Sequence, residues 1–237
     1  LAIDRRAEHR VVRADDAVSA RVLAVTLDPG IRPAAGQYDY DPAAARKLLD
    51  DAGFATQRNG VRQNAAGERL SIELATTAGN RVRELVAQVI QSQLRQVGVD
   101  VRIKAEPPRI FFEAMNRRTF GALGMYAWVQ RPEGVPRSSL HSKEIPSAQN
   151  GFSGQNYPGY ANPEMDAALD AAERELDEGK RRVLFAEIQR LAADDLPVLP
   201  LFFRVDPFVV PKPLKGVVPT GTLNSSTLWI EQWRWEN

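Results

Sequence analysis

A chain of 237 residues with 43% hydrophobic content can bury a core without staples, and 31 Lys plus Arg against 30 Asp plus Glu leave no sequence-wide field for nucleic acid or an anionic membrane. The absence of cysteine excludes disulfides, thiolate zinc sites and thiol catalysis, and fits an oxidising compartment such as the periplasm. No run approaches the ~20 apolar residues of a membrane span; the most apolar stretch, Leu196 to Val210, is broken by Pro197, Pro200, Arg204, Asp206 and Pro207.

Leu1-Ala2-Ile3-Asp4-Arg5-Arg6 has the pattern of a helix interior, with no basic and apolar leader before it, so the sequence is expected to continue upstream. Residues 1–13 are expected to be helical. Residues 14–38, weakly periodic and punctuated by Asp28-Pro29-Gly30 and Arg32-Pro33, are expected to form an extended connection. Asp41 as N-cap, Pro42 at the first helical position and Gly53 as the stop then predict a short helix. Phe54 to Arg58 and Leu70 to Thr76 have strand character, and the polar turn Asn64-Ala65-Ala66-Gly67 predicts a hairpin between them. Asn80 opens a helix with Val82, Leu85, Val86, Val89, Ile90, Leu94 and Val97 at helical spacing, ending at Gly98 before an alternating strand, Val99 to Lys104. Strand, helix, strand predicts a parallel pair, and the fold class is α/β.

Pro107 and Pro108 start a helix to about Arg118, and Phe120 to Trp128 is expected to be a buried strand. From Val129 to Tyr160 proline, glycine and polar residues predict a long loop, 129–160, without internal periodicity. Asn162-Pro163-Glu164 caps a helix to about Leu176. Asp177 opens a second, neighbouring helix with Val183, Leu184, Ile188, Leu191 and Ala192 on its apolar face. The chain closes in Pro-punctuated β structure, Val198 to Arg204, Phe208 to Val210 and Leu214 to Val218, then Trp229, Trp233 and Trp235. That tail either completes a sheet beside another lobe, leaving an apolar patch, or belongs to the core.

Catalytic chemistry is not legible, and no enzyme is expected. His141 in Ser139-Leu140-His141-Ser142 has neither a nucleophile elbow nor an orienting acid motif, and is expected to be a polar loop residue. Asp50-Asp51 and Asp194-Asp195 are expected at solvated helix faces or ends. Gly151-Phe152-Ser153-Gly154 lacks the lysine of a phosphate loop, so no nucleotide cofactor is expected. His9 and His141, the only histidines, make a poor metal set. What stands out is a set of aromatic and polar residues flanking the long loop: Met125, Tyr126, Trp128, Gln130 and Arg131 before it, Asn156, Tyr157 and Tyr160 after it. A strand end feeding a loop is where α/β sheets hold ligands, although Tyr126 and Trp128 would also alternate naturally on a buried strand.

The order of motifs resembles the carboxy-terminal lobe of the family 5 solute-binding proteins, the dipeptide, oligopeptide and nickel receptors. The carrying passages are Leu1-Ala2-Ile3-Asp4-Arg5; Tyr40-Asp41-Pro42 through Leu48-Leu49 to Ala52-Gly53-Phe54; Ala87, Ile90, Gln91, Leu94 and Gly98-Val99-Asp100-Val101; and Tyr160-Ala161-Asn162-Pro163-Glu164-Met165-Asp166. Arg182, Leu184, Glu187, Gln189 and Pro197 to Leu201 continue in order. The resemblance implies a periplasmic-binding-protein-like lobe, 1–237, with a mixed sheet flanked by helices. It would be one lobe of a bilobal clamp whose amino-terminal lobe and signal peptide lie outside this sequence. It further implies a monomeric, periplasmic receptor that closes on a peptide or other small polar solute and delivers it to an ABC permease. The ligand set would be Tyr126, Trp128, Gln130, Arg131, Asn156 and Tyr157. A solute-sensing lobe of a regulator is the alternative. Arg131 stands about where the family's peptide receptors carry an aspartate for the peptide ammonium, so it either receives an anionic group, or points to solvent or pairs with Glu133.

Overall fold

The computed structural model describes residues 40–128, 134–201, 211–217 and 227–236. The expected helix 1–13, the connection 14–38, Gln130, Arg131 and the expected strand residues 202–204, 208–210 and 218 lie outside them. Helix α1 (Pro42–Asp51) begins as its sequence dictates: the Asp41 carboxylate accepts from the amides of Ala43 and Ala44 at 2.8 and 2.9 Å, and Pro42 occupies the first turn.

The hairpin that follows differs from the expected one. Asn59 and Gly60 adopt φ of 53° and 76°, the positive pair that lets a two-residue turn match strand twist. So β1 (Thr56–Arg58) pairs antiparallel with β2 (Val61–Gln63). The Asn64 to Gly67 turn comes afterwards, with the Asn64 side chain accepting from the amides of Ala66 and Glu68. It returns the chain to β3 (Ser71–Thr77), which belongs to another sheet.

That sheet has the order β4-β3-β5 and is parallel throughout, β3 pairing with β4 (Asp100–Glu106) and with β5 (Leu123–Met125). Helix α2 (Arg81–Gln96), capped by Asn80, links β3 to β4, and α3 (Pro108–Arg117) links β4 to β5. Successive residues of β3 point to opposite faces and both faces are covered. Leu74 packs in the cluster with Val86, Ala87, Ile90 and Leu94 of α2, whereas Ala75 packs with Phe111 and Met115 of α3 and with Tyr157. The α/β class is thereby realised; among the described residues the antiparallel strand pairs are β1–β2 and β6 (Leu214–Lys215) with β7 (Arg234–Trp235).

The expected strand 120–128 shrinks to the three residues of β5, leaving Tyr126 to Trp128 beyond its carboxyl end. The expected long loop has structure of its own: helix α4 (Arg137–Leu140) and 3-10 turns at Ser142–Glu144 and Ala148–Asn150. Helix α5 (Pro163–Ala172) stops short of Leu176, and α6 (Glu178–Asp195) packs against it through Met165, Leu169, Ile188 and Leu191. Val183 is an exception to the expected apolar face, at 68% exposed. Val198 to Leu201 form no strand among the described residues.

One buried cation ties the first half together. Arg62, 3% exposed, donates from Nε to the Val97 carbonyl at 2.7 Å and from a terminal nitrogen to the Phe54 carbonyl at 2.6 Å and the Asp50 carboxylate at 2.5 Å. Asp50 is therefore the partner of a buried guanidinium and not merely a solvated face. Gly98, at φ +87°, leaves room for this side chain; a Cβ there would lie 2.7 Å from Arg62 Cγ. Arg62→Met should lower stability by about 2–4 kcal/mol, because two inward-facing carbonyls lose their donor. Gly98→Ala should cost about 1–3 kcal/mol through left-handed strain and displacement of the arginine. Urea unfolding of both variants checks the pair, and wild-type midpoints would refute the account.

Candidate ligand-binding site

Parallel sheets present ligands at the carboxyl ends of their strands, where connections diverge. Residues 126–128 leave β5 at that edge and meet α3 and the segment returning through Tyr157. Burying Phe111 against Ala75 places Phe112 one position further round the helix, towards Tyr126 and Trp128, at ring distances of 6.0 and 6.4 Å. Tyr126 meets Trp128 edge-on at 5.5 Å and Tyr157 at 5.8 Å, while the Trp128 ring stacks on Tyr157 at 6.5 Å and 27°. Tyr157 is buried, but Trp128 is 41% exposed. The result is an indole fixed on one side by aromatic neighbours and open on the other, a stacking surface already ordered.

Burial raises the Tyr126 hydroxyl above its ordinary 10.0, the Trp128 hydrogen bond acting in the opposite direction, and burial likewise raises Tyr157. Both phenols stay neutral near neutral pH.

Next to this wall, sharing Phe112 with it, an open groove of about 510 Å³ runs along α3. It is bounded by Pro108, Arg109, Phe112, Glu113, Asn116 and Arg117 on the helix and by Gly151 and Phe152 opposite. Arg117 pairs with Glu113 at 3.4 Å and lies over the Phe152 ring at 5.0 Å. Phe112 and this groove were missed in the sequence. The signal that could have found them is the repeat of Arg109, Phe112, Glu113, Asn116 and Arg117 at helical spacing, beside a Phe111 that takes the core side.

Of the six residues expected to touch ligand, Tyr126, Trp128 and Tyr157 come together, and Gln130 and Arg131 lie outside the described residues. Asn156 needs correction. It is wholly buried; its amide donates to the carbonyls of His141 and Tyr160 at 3.0 and 2.8 Å and accepts from the Tyr160 amide at 2.9 Å. Every polar atom of that side chain is spent on backbone, so it closes the loop and has nothing to offer a solute.

His141 is likewise no surface loop residue. Buried beside α5, its Nδ1 accepts from the Lys143 amide at 3.0 Å, and its ring lies 3.4 Å from Asp166 and 3.3 Å from Asp170. Arg137 donates to Asp170 at 2.5 Å and reaches Glu173 at 3.2 Å. Asp195 is exposed at the end of α6, as expected, and there accepts from the Tyr160 hydroxyl at 2.6 Å and the Asn162 amide at 2.7 Å. Among the described residues no cluster of three His, Asp or Glu side chains could hold a metal ion, and no helix is long and apolar enough to cross a membrane.

Asn156→Ala should cost about 2–4 kcal/mol by stranding buried backbone groups, against about 1–2 kcal/mol for the half-exposed Trp128→Ala. Denaturant curves rank the two, and the opposite order would overturn these assignments. The hydrogen bond from Arg137 holds the Asp170 carboxyl below its ordinary 3.8. The stabilisation it gives is present above pH 3.8 and is lost as pH falls through the lower folded value, where the unfolded chain has already taken up its proton. Stability measured across acid pH should show the gap between wild type and Asp170→Asn closing in that window; a gap that stays constant would contradict the pairing.

Comparison with known proteins is consistent with this geometry. The family model for bacterial extracellular solute-binding proteins, family 5 Middle, matches residues 1–147. The oligopeptide-binding protein AppA of Bacillus subtilis (strain 168) is 26% identical over 182 residues, 76% of this chain and 32% of the relative. The nickel-binding periplasmic protein of Escherichia coli (strain K12) is 26% identical over 195 residues, 80% and 34% of the two chains. Among solved structures, the oligopeptide-binding protein of Thermus thermophilus, complexed with a pentapeptide, superposes with a TM-score of 0.75 at 28% identity, covering 91% of this chain and 38% of that one. The chain spans about a third of the length of the curated relatives it matches.

Proposed function

Because the chain belongs to the family 5 bacterial extracellular solute-binding proteins, we propose that it supplies the carboxy-terminal lobe of an importer receptor. In this reading a peptide-like or other small polar solute is captured against a second, amino-terminal lobe and handed to an ABC permease, in the periplasm or outside the cell. The receptor is monomeric and performs no catalysis. The observation that carries the proposal is the exposed Trp128 face, held by Phe112, Tyr126 and Tyr157 at the carboxyl end of a parallel sheet. Closure of a second lobe over that face would bury the solute from both sides and shift the population towards the closed state. Gln130 and Arg131 are proposed as further contacts from their place two and three residues after Trp128 in the sequence. The binding-protein character of the relatives favours this reading over the sensing lobe of a regulator.

A thermal-shift screen of the chain together with its amino-terminal lobe, against di- and tripeptides, amino-acid conjugates, sugars and small carboxylates, tests it. At least one class should raise the melting temperature by mass action. Trp128→Ala should abolish that rise while keeping a cooperative transition without ligand. A screen in which no class stabilises the protein, or one in which Trp128→Ala leaves the rise intact, would sink the assignment.

A further inference from the structure

We infer that the groove along α3 is a subsite for a carboxylate or other single anionic group of the solute, held by Arg109 next to the aromatic wall. The inference rests on the solute-binding reading and names the chemistry of one end of the ligand.

Its basis is the charge balance and the state of partnering within the groove. Glu113 and Arg117 neutralise each other at 3.4 Å, and Arg117 also covers Phe152. Glu106, just before the helix, is taken by Lys104 at 3.1 Å. Arg109 and Asn116 make no hydrogen bond or ion pair among the described residues, although both line the cavity. One uncompensated cation is left, so the groove suits one negative charge. The start of α3 adds to it, since Pro107 gives no side-chain cap and the first turn holds no acidic residue, leaving the positive end of the helix unopposed beside Arg109.

Spacing gives the subsite a length. Arg109 and Asn116 are seven residues apart on one helix face, about 10 Å along the axis at 1.5 Å per residue. Phe112 lies between them and Phe152 faces them across the groove. A solute with an anionic group at Arg109, an apolar or planar middle between the two rings and a neutral amide at Asn116 matches this order. Phe112 also touches the wall at Trp128, so such a solute would continue directly onto the stacking surface.

The test is an amide-resolved NMR titration of the isotopically labelled chain with N-acetyl-L-phenylalanine and with its carboxamide, which keeps the ring and removes the charge. Resonances of residues 109–117 should move, and the carboxylate should bind about five-fold more tightly than the carboxamide, the size of a solvent-open charge contact. Arg109→Gln should bring the two affinities together, Asn116→Ala should weaken both probes alike, and Lys180→Gln, on an exposed part of α6, should change neither. Equal affinities in the wild type, or a carboxylate preference that survives Arg109→Gln, overturn the subsite. If Trp128 still responds to both probes in that case, the solute-binding reading stands without it. A preference lost only in Arg131→Gln transfers the anionic contact to Arg131 and equally overturns the inference.

Discussion

The guanidinium of Arg62 is the constraint from which the first half of the molecule is arranged. It replaces water for the carbonyls of Phe54 and Val97, neighbours in space but far apart in the chain, and is compensated by Asp50. A charge with so little exposure is tolerated only when its donors are occupied, so the end of α1, the small hairpin and the end of α2 must arrive together. The Arg62 backbone takes part as well, donating to the Gly98 carbonyl and accepting from the Leu70 amide, and this delivers the chain into β3 in register. Once β3 is placed, its two faces select α2 and α3.

The aromatic wall follows from that choice. Helix α3 turns Phe111 and Met115 inward and Phe112 towards the sheet edge, so the same helix that closes one core also builds the wall beside Trp128. The helices α5 and α6 form a separate apolar cluster. Their connection to the wall is the segment through Asn156 and Tyr157, which is anchored on the other side by Arg118 donating to the Tyr157 carbonyl at 3.2 Å. Tyr157 and Phe112 therefore belong both to the core and to the wall, while Trp128 keeps one face exposed.

Much of the fold was legible in short signals. Asp41-Pro42, Asn80, Asn162-Pro163 and Asp177 each start a helix because local hydrogen bonds to free amides determine where a helix begins. The parallel pair around α2 was legible from periodicity. What escaped was decided by geometry at a distance. In sequence Asn59-Gly60 and the longer polar turn Asn64 to Gly67 are equally able to reverse the chain, and only the strand pairing decides between them. Asn156 resembled a ligand contact because composition cannot say whether an amide faces solvent or its own backbone. His141 lies in a polar stretch of sequence, yet it is buried beside α5. At the site, the tyrosine and tryptophan pair was visible, but Phe112 was not, since its role depends on how α3 is rotated by packing on β3.

The closure made by Asn156 has an evolutionary side. From within the segment 142–159, its amide bonds the carbonyls of residues 141 and 160 and so draws the two ends of that segment together. Lengthening a loop with fixed ends costs little entropy, roughly 0.6 kcal/mol per doubling. An insertion near Gly151 and Phe152 would therefore cost α5 little while altering the far bank of the groove opposite Arg109. A change of shape in that stretch would alter the groove first, while Asn156, with Ser142 on Asp166 and Arg118 on the Tyr157 carbonyl, holds the base of the segment to the core.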